Sequence, residues 1–153
     1  MVQMQGAYAD DGVPRDEAMK WIRPMWIGSL RAEGGWALAG GKGDYDRNQA
    51  RLIDAIMGAT ATVTLLLVHR ADPGVYFGFI CGCPRIEGGT LIHYLAVKSN
   101  LRGYGLSHVL LDDLIDGHPD GPIECTHTTR AWRRLPRGKA VRYNPYALLW
   151  NLL

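Results

Sequence analysis

The stretch Leu95 to Leu111, LAVKSNLRGYGLSHVLL, decides the reading of this 153-residue chain. An apolar, strand-like run ends at Val97, a short loop carries Arg102-Gly103-Tyr104-Gly105, and a helical pattern starts at Leu106. The first turn of a helix leaves several backbone N–H groups without intrahelical partners, and the helix dipole adds partial positive charge there. Glycine lets the backbone approach a ligand with no Cβ in the way. A strand, a glycine turn and a helix start in succession therefore form a cradle for an anion such as a pyrophosphate. No Gly-Lys-Ser/Thr follows, which excludes a Walker P-loop, and no G-x-G-x-x-G is present, which excludes a Rossmann fingerprint.

Outward from this stretch the elements alternate in a readable way. Upstream lie three strand-like runs, Ala61 to His69, Val75 to Cys83 and Thr90 to Val97, separated by the turns Ala71-Asp72-Pro73-Gly74 and Glu87-Gly88-Gly89. Short connections of that kind predict antiparallel hairpins. Before them, apolar residues recur at helical spacing over Arg15 to Arg31, where Pro24 predicts a kink or two short helices. A glycine-rich loop follows from Glu33 to Asp44, then a second helix over about Tyr45 to Met57. Downstream, Leu106, Val109, Leu110, Leu114 and Ile115 keep the helical period, and Pro122 to Thr129 alternates like a strand. A strand reached through a crossover helix predicts a parallel neighbour. The fold class is α+β: a mixed, mostly antiparallel sheet flanked by helices. The polar residues 1–14 are expected to be loosely held, and residues 126–153 form a basic end that closes on the apolar Ala147 to Leu153.

A chain of this length fits one domain, residues 1–153. The hydrophobic fraction of 47% and charged fraction of 21% suit a globular chain with one core, not a disordered one. No apolar run approaches the ~20 residues of a membrane span, and the N-terminus lacks the pattern of a signal peptide. The odd count of three cysteines predicts reduced thiols and a cytoplasmic protein. A monomer or a homodimer is expected. Net charge is +2, but six of the 17 basic residues and none of the 15 acidic ones lie after Glu124. That basic end suits an anionic partner, and nucleic acid held by Arg130, Arg133, Arg134, Arg137 and Lys139 is one such partner.

The quoted stretch resembles the coenzyme A motif of the GCN5-related N-acetyltransferases (GNAT), whose core reads R/Q-x-x-G-x-G/A at a strand-to-helix junction. Arg102, Gly105 and Ser107 occupy the three core positions, with Gly103 and Leu106 also fitting. Ser99 stands where the family has a proline, and Ser107 where it has Gly or Ala. The order of elements from Tyr45 to Thr129 is also similar, whereas the family's first strand is not evident. The texture of WIRPMWIGSLR and LIHYLAVK further resembles short acetyltransferase-like proteins of bacteriophages, which would place the protein in a host cytoplasm.

The resemblance implies an acetyl-CoA-dependent N-acyltransferase with no metal. Backbone amides of Arg102, Gly103, Tyr104, Gly105, Leu106 and Ser107 would hold the pyrophosphate, and the edge Leu95, Ala96 and Val97 the pantetheine. Where the family carries a carboxylate base on its fourth strand, this chain has His93. The family's acid, a tyrosine beyond the fifth strand, corresponds to Tyr146 or Tyr143. The structural alternatives are a histidine satisfied within the sheet and tyrosines that pack the C-terminal segment. Cys81, Cys83 and the histidines lack the second ligand pair of a zinc site, so core thiols are expected; Cys125 next to His127 offers a nucleophile. Trp21 and Trp26 are expected in the core, and Trp36 against an acceptor. A catalytically inactive binding module, docking through the basic end, is the alternative function.

Overall fold

The computed structural model describes residues 2–6, 15–33, 41–59, 61–116, 120–128, 132 and 141–147. The elements run β1 (Val2–Gly6), α1 (Arg15–Glu33), α2 (Lys42–Gly58), β2 (Val63–His69), β3 (Asp72–Pro84), β4 (Thr90–Val97), α3 (Leu106–Asp116), β5 (Ile123–Cys125) and β6 (Val141–Tyr143). The strands form one sheet in the order β1-β2-β3-β4-β5-β6. Ladders from β1 to β4 are antiparallel, while β4–β5 and β5–β6 are parallel. The meander and the parallel strand after the crossover helix agree with the sequence reading.

The two faces of the sheet are covered separately. On one, Met19, Ile22, Trp26, Ile27 and Leu30 of α1 and Ile53, Ile56 and Met57 of α2 pack with Leu66, Phe79, Cys81 and Tyr94. On the other, Leu110, Leu111 and Leu114 of α3 pack with Leu67, Ile80, Ile92, Leu95 and Cys125. Helix α3 lies close to the sheet at Gly82, where a Cβ would meet Leu91 O at 2.6 Å and Leu114 Cδ2 at 2.8 Å. Arg23 pairs with Asp54 at 2.5 Å and Arg31 with Asp46 at 2.6 Å, both tying α1 to α2.

Three expectations change. The N-terminus is not loosely held throughout: Val2–Gly6 pairs with Leu65 to His69 of β2. A five-residue run carries too little pattern to announce a strand, and its pairing comes from the open edge of β2. Helix α1 is one 19-residue helix with Pro24 inside it, not two short ones. Pro24 and Lys20 are both exposed, so the carbonyl left without its N–H partner faces water while the buried stripe anchors the helix. Strand β5 is three residues long, shorter than the alternating run Pro122 to Thr129, because its pairing with β4 ends at Cys125.

Candidate functional site

The chemistry-bearing residues gather where β4 and β5 part. The two strands pair only from Thr90↔Ile123 to Ile92↔Cys125, and Thr126 N–H donates to Ile92 O at 3.0 Å. Beyond that point no strand covers this side of β4 among the described residues. The β3–β4 ladder skips a residue between Cys81↔Tyr94 and Gly82↔Ile92, so His93 is the extra residue of a β-bulge. Past the bulge, Lys98 N–H donates to Phe77 O at 2.8 Å. Alternate residues of an antiparallel strand turn their N–H and C=O away from the partner. With Lys98 facing β3, those residues are Leu95 and Val97, whose backbone groups point toward the opening.

The segment expected to cradle an anion stands at the same end of the sheet. After Val97 the chain makes a 3-10 turn over Ser99–Leu101 and reaches α3 through Arg102 to Gly105. Gly105 caps the helix: its carbonyl accepts from His108 N–H at 2.9 Å and Val109 N–H at 3.3 Å. Gly103 and Gly105 have φ of 92° and 76°, a region that disfavours side chains. A Cβ at either would meet no described residue within 4 Å, so none of these fills the space beside the loop. Among the described residues, no group accepts a hydrogen bond from the backbone N–H of residues 103 to 107. The first turn of α3 carries no acidic side chain to compete for that positive pole. These features suit a bound anion.

His93 departs from the role of an accessible base. Its side chain is 1% exposed, and burial, with His127 adding to it, pushes its pKa down to about 4. Nε2 lies 3.7 Å from Cys83 Sγ, and Nδ1 has no hydrogen-bond partner among the described residues. The bulge also turns the His93 ring toward Cys83, on the side of the sheet that carries Tyr94, and not to the face opposite it. Tyr94 stacks on Trp26 at 4.7 Å, within the core.

A residue of lesser standing in the sequence takes a more prominent place. His127, just past β5, is half-buried and places Nδ1 3.0 Å from His93 O and 2.8 Å from Thr126 Oγ1. Trp132 Nε1–H donates to His127 O at 2.9 Å, and Trp26 meets the His127 ring edge-on at 6.1 Å. Burial lowers the His127 pKa, opposed in part by the hydrogen bond to His93. Nothing in the sequence pairs positions 93 and 127; only the meeting of β4 and β5 does.

Tyr143 and Tyr146 are exposed, 57% and 71% respectively; Tyr143 lies on β6, whereas Tyr146 adjoins Ala147, which packs with Cys83 and Leu91. Tyr143 pairs with Cys125, which pairs with Ile92, so it stands two strands away from β4. Cys125 is buried with its pKa pushed up to about 11 by desolvation, so its thiol stays protonated and is a poor nucleophile. Cys81 and Cys83 are likewise buried thiols, raised to about 12 and about 11. Trp26 is core, as expected, and Trp21 packs at its edge, stacked on Tyr76 at 5.2 Å. Trp36, Arg130, Arg133, Arg134, Arg137 and Lys139 lie outside the described residues.

An antiparallel meander, a crossover helix behind a glycine turn, and a parallel strand that parts from β4 form a recognised architecture. A Pyrococcus furiosus protein designated an acetyl transferase superposes on it with a TM-score of 0.59 at 12% identity, over 98% of this chain and 89% of that one. The fold is that of the GNAT acetyltransferases. Weaker likenesses include a ribosomal-protein-alanine N-acetyltransferase of Brucella melitensis, with TM-score 0.49, 15% identity, and 98% and 86% of the two chains covered. Another is an Escherichia coli GNAT-family N-acetyltransferase in complex with CoA, with TM-score 0.44 at 20% identity. It covers 76% of this chain and 55% of its own. No protein-family profile and no curated protein matches the sequence.

Proposed function

We propose that the protein binds an acyl-CoA along Leu95, Ala96 and Val97 and at the cradle from Arg102 to Ser107, and transfers the acyl group to an amine. The carrying observation is the pairing of two open backbone surfaces at one end of the sheet. One is the edge of β4 that no described strand covers; the other is the capped start of α3, whose N–H groups have no partner among the described residues and no Cβ in the way. An extended amide-bearing chain matches the strand edge, and a pyrophosphate matches the helix start. Bound there, acyl-CoA supplies an activated thioester; the protein supplies position and proton handling.

The sealed ring of His93 takes part through its backbone: its carbonyl oxygen receives His127 and so shapes the opening. Tyr146 and Tyr143 are the hydroxyls proposed to give the departing sulfur its proton. Tyr146→Phe and Tyr143→Phe keep the rings and remove that proton, and a tenfold or larger fall in transfer identifies the acid.

Titration calorimetry with acetyl-CoA tests the binding reading. The wild type is expected to bind, and Gly105→Asp, which sets a carboxylate at the anion site, to lose binding. A wild type that binds no acetyl-CoA overturns the proposal.

A further inference from the structure

We propose that His127 is the group that accepts the proton from the acceptor amine. The inference rests on the acyltransferase reading above, but its starting point is a hydrogen-bond pattern that stands independently. A backbone carbonyl can only accept, so Nδ1 of His127, 3.0 Å from His93 O, carries the proton of the neutral ring. Thr126 fits the same assignment: its Oγ1 lies 2.8 Å from Nδ1 and its hydroxyl points to His93 O at 3.4 Å. Nε2 is then the nitrogen with a free lone pair, and it has no partner among the described residues.

The ring is also held in place. Trp132 fixes the His127 carbonyl, Trp26 flanks the ring edge-on, and the β5 backbone is anchored by Thr126 N–H on Ile92 O. A half-buried imidazole with a set tautomer, seated where β4 and β5 part, is poised as a base. His93 lacks this arrangement because both of its ring nitrogens are enclosed.

In the transfer, a C–N bond forms between the amine and the acyl carbon. The C–S bond breaks, and its electron pair leaves on sulfur. The amine's proton passes to His127 Nε2, the sulfur takes up one proton in return, and the ring is restored by releasing its own to water.

Two measurements test this without turnover. Nitrogen-15 spectra of histidine-labelled protein, with the signal assigned by its loss in His127→Gln, are expected to show the Nδ1–H tautomer for His127; an Nε2–H tautomer overturns the proposal. Diethyl pyrocarbonate, which acylates free imidazole nitrogen, is expected to modify His127 and to be blocked by saturating acetyl-CoA. Modification unchanged in the presence of bound acetyl-CoA also overturns it. Absence of acetyl-CoA binding by the wild type defeats the acyltransferase reading instead, and the spectra separate that failure from this one. With a panel of primary amines as acceptors, His127→Gln is expected to bind acetyl-CoA within about threefold of wild type and to transfer at least ~100-fold more slowly. A transfer rate within threefold of wild type overturns the assignment.

Discussion

His127 reaches across the parting of β4 and β5 to place its Nδ1 3.0 Å from the carbonyl oxygen of His93. The bulge makes this possible: His93 has no partner in β3, and its carbonyl is turned to the β5 side. One histidine is thereby buried as a structural residue and the other is presented at the opening.

The burial of His93 predicts a pH dependence of stability. Its pKa falls from an ordinary 6.5 to about 4 on folding, so the unfolded chain binds the proton first as the pH drops. The contribution is fully present above about 6.5 and is lost progressively as the pH falls toward 4, by about 3 kcal/mol in all. His127, shifted in the same direction, adds to that slope. Denaturant midpoints measured between pH 7 and 4 are expected to fall, with a shallower slope in His93→Gln. An unchanged slope in that variant would show that His93 titrates normally.

Gly105→Ala separates the cradle from the fold. The new methyl group meets none of the described residues within 4 Å, so the penalty is that of a positive φ, about 1–2 kcal/mol. The same methyl group occupies the space where an anion would approach. Acetyl-CoA affinity is expected to fall tenfold or more while the thermal midpoint falls by only a few degrees. Comparable affinity in both proteins would place the pyrophosphate elsewhere.

Gly82→Ala gives the opposite pattern. There a Cβ would lie 2.6 Å from Leu91 O, a backbone atom that cannot swing aside, and 2.8 Å from Leu114 Cδ2. Stability is expected to drop by roughly 1–3 kcal/mol as α3 is pushed from the sheet. Chemical denaturation measures it, and a neutral substitution would mean that α3 packs less closely.

Glu124, 8% exposed, pairs with Arg85 and accepts from Asn144 Nδ2 at 3.1 Å, linking the turn after β3, β5 and the segment after β6. Glu124→Ala leaves Arg85 without this partner in a partly enclosed place. A loss of about 3 kcal/mol is expected. Hydrogen exchange at residues 141–147 is expected to quicken along with it, and unaltered protection there would contradict the link.

The sequence by itself determined the local elements and the glycine turn before α3. Strand propensity, hairpin turns and the helical period of Leu106 to Ile115 depend on near neighbours, and a glycine at positive φ before a helix start is itself a local signal. The strand–turn–helix junction from Leu95 to Leu111 was therefore legible, as was the parallel strand after the crossover. Other features depended on residues far apart in the chain. Val2–Gly6 is a strand because β2 offers it an edge, and α1 runs through Pro24 because its buried stripe packs on the sheet. The tertiary structure alone decided which histidine faces the opening. A bulge is a mismatch between two strands, and the His93–His127 hydrogen bond joins residues 34 positions apart. Periodicity within one segment contains neither, since the energies that set them arise only when β3, β4 and β5 lie side by side.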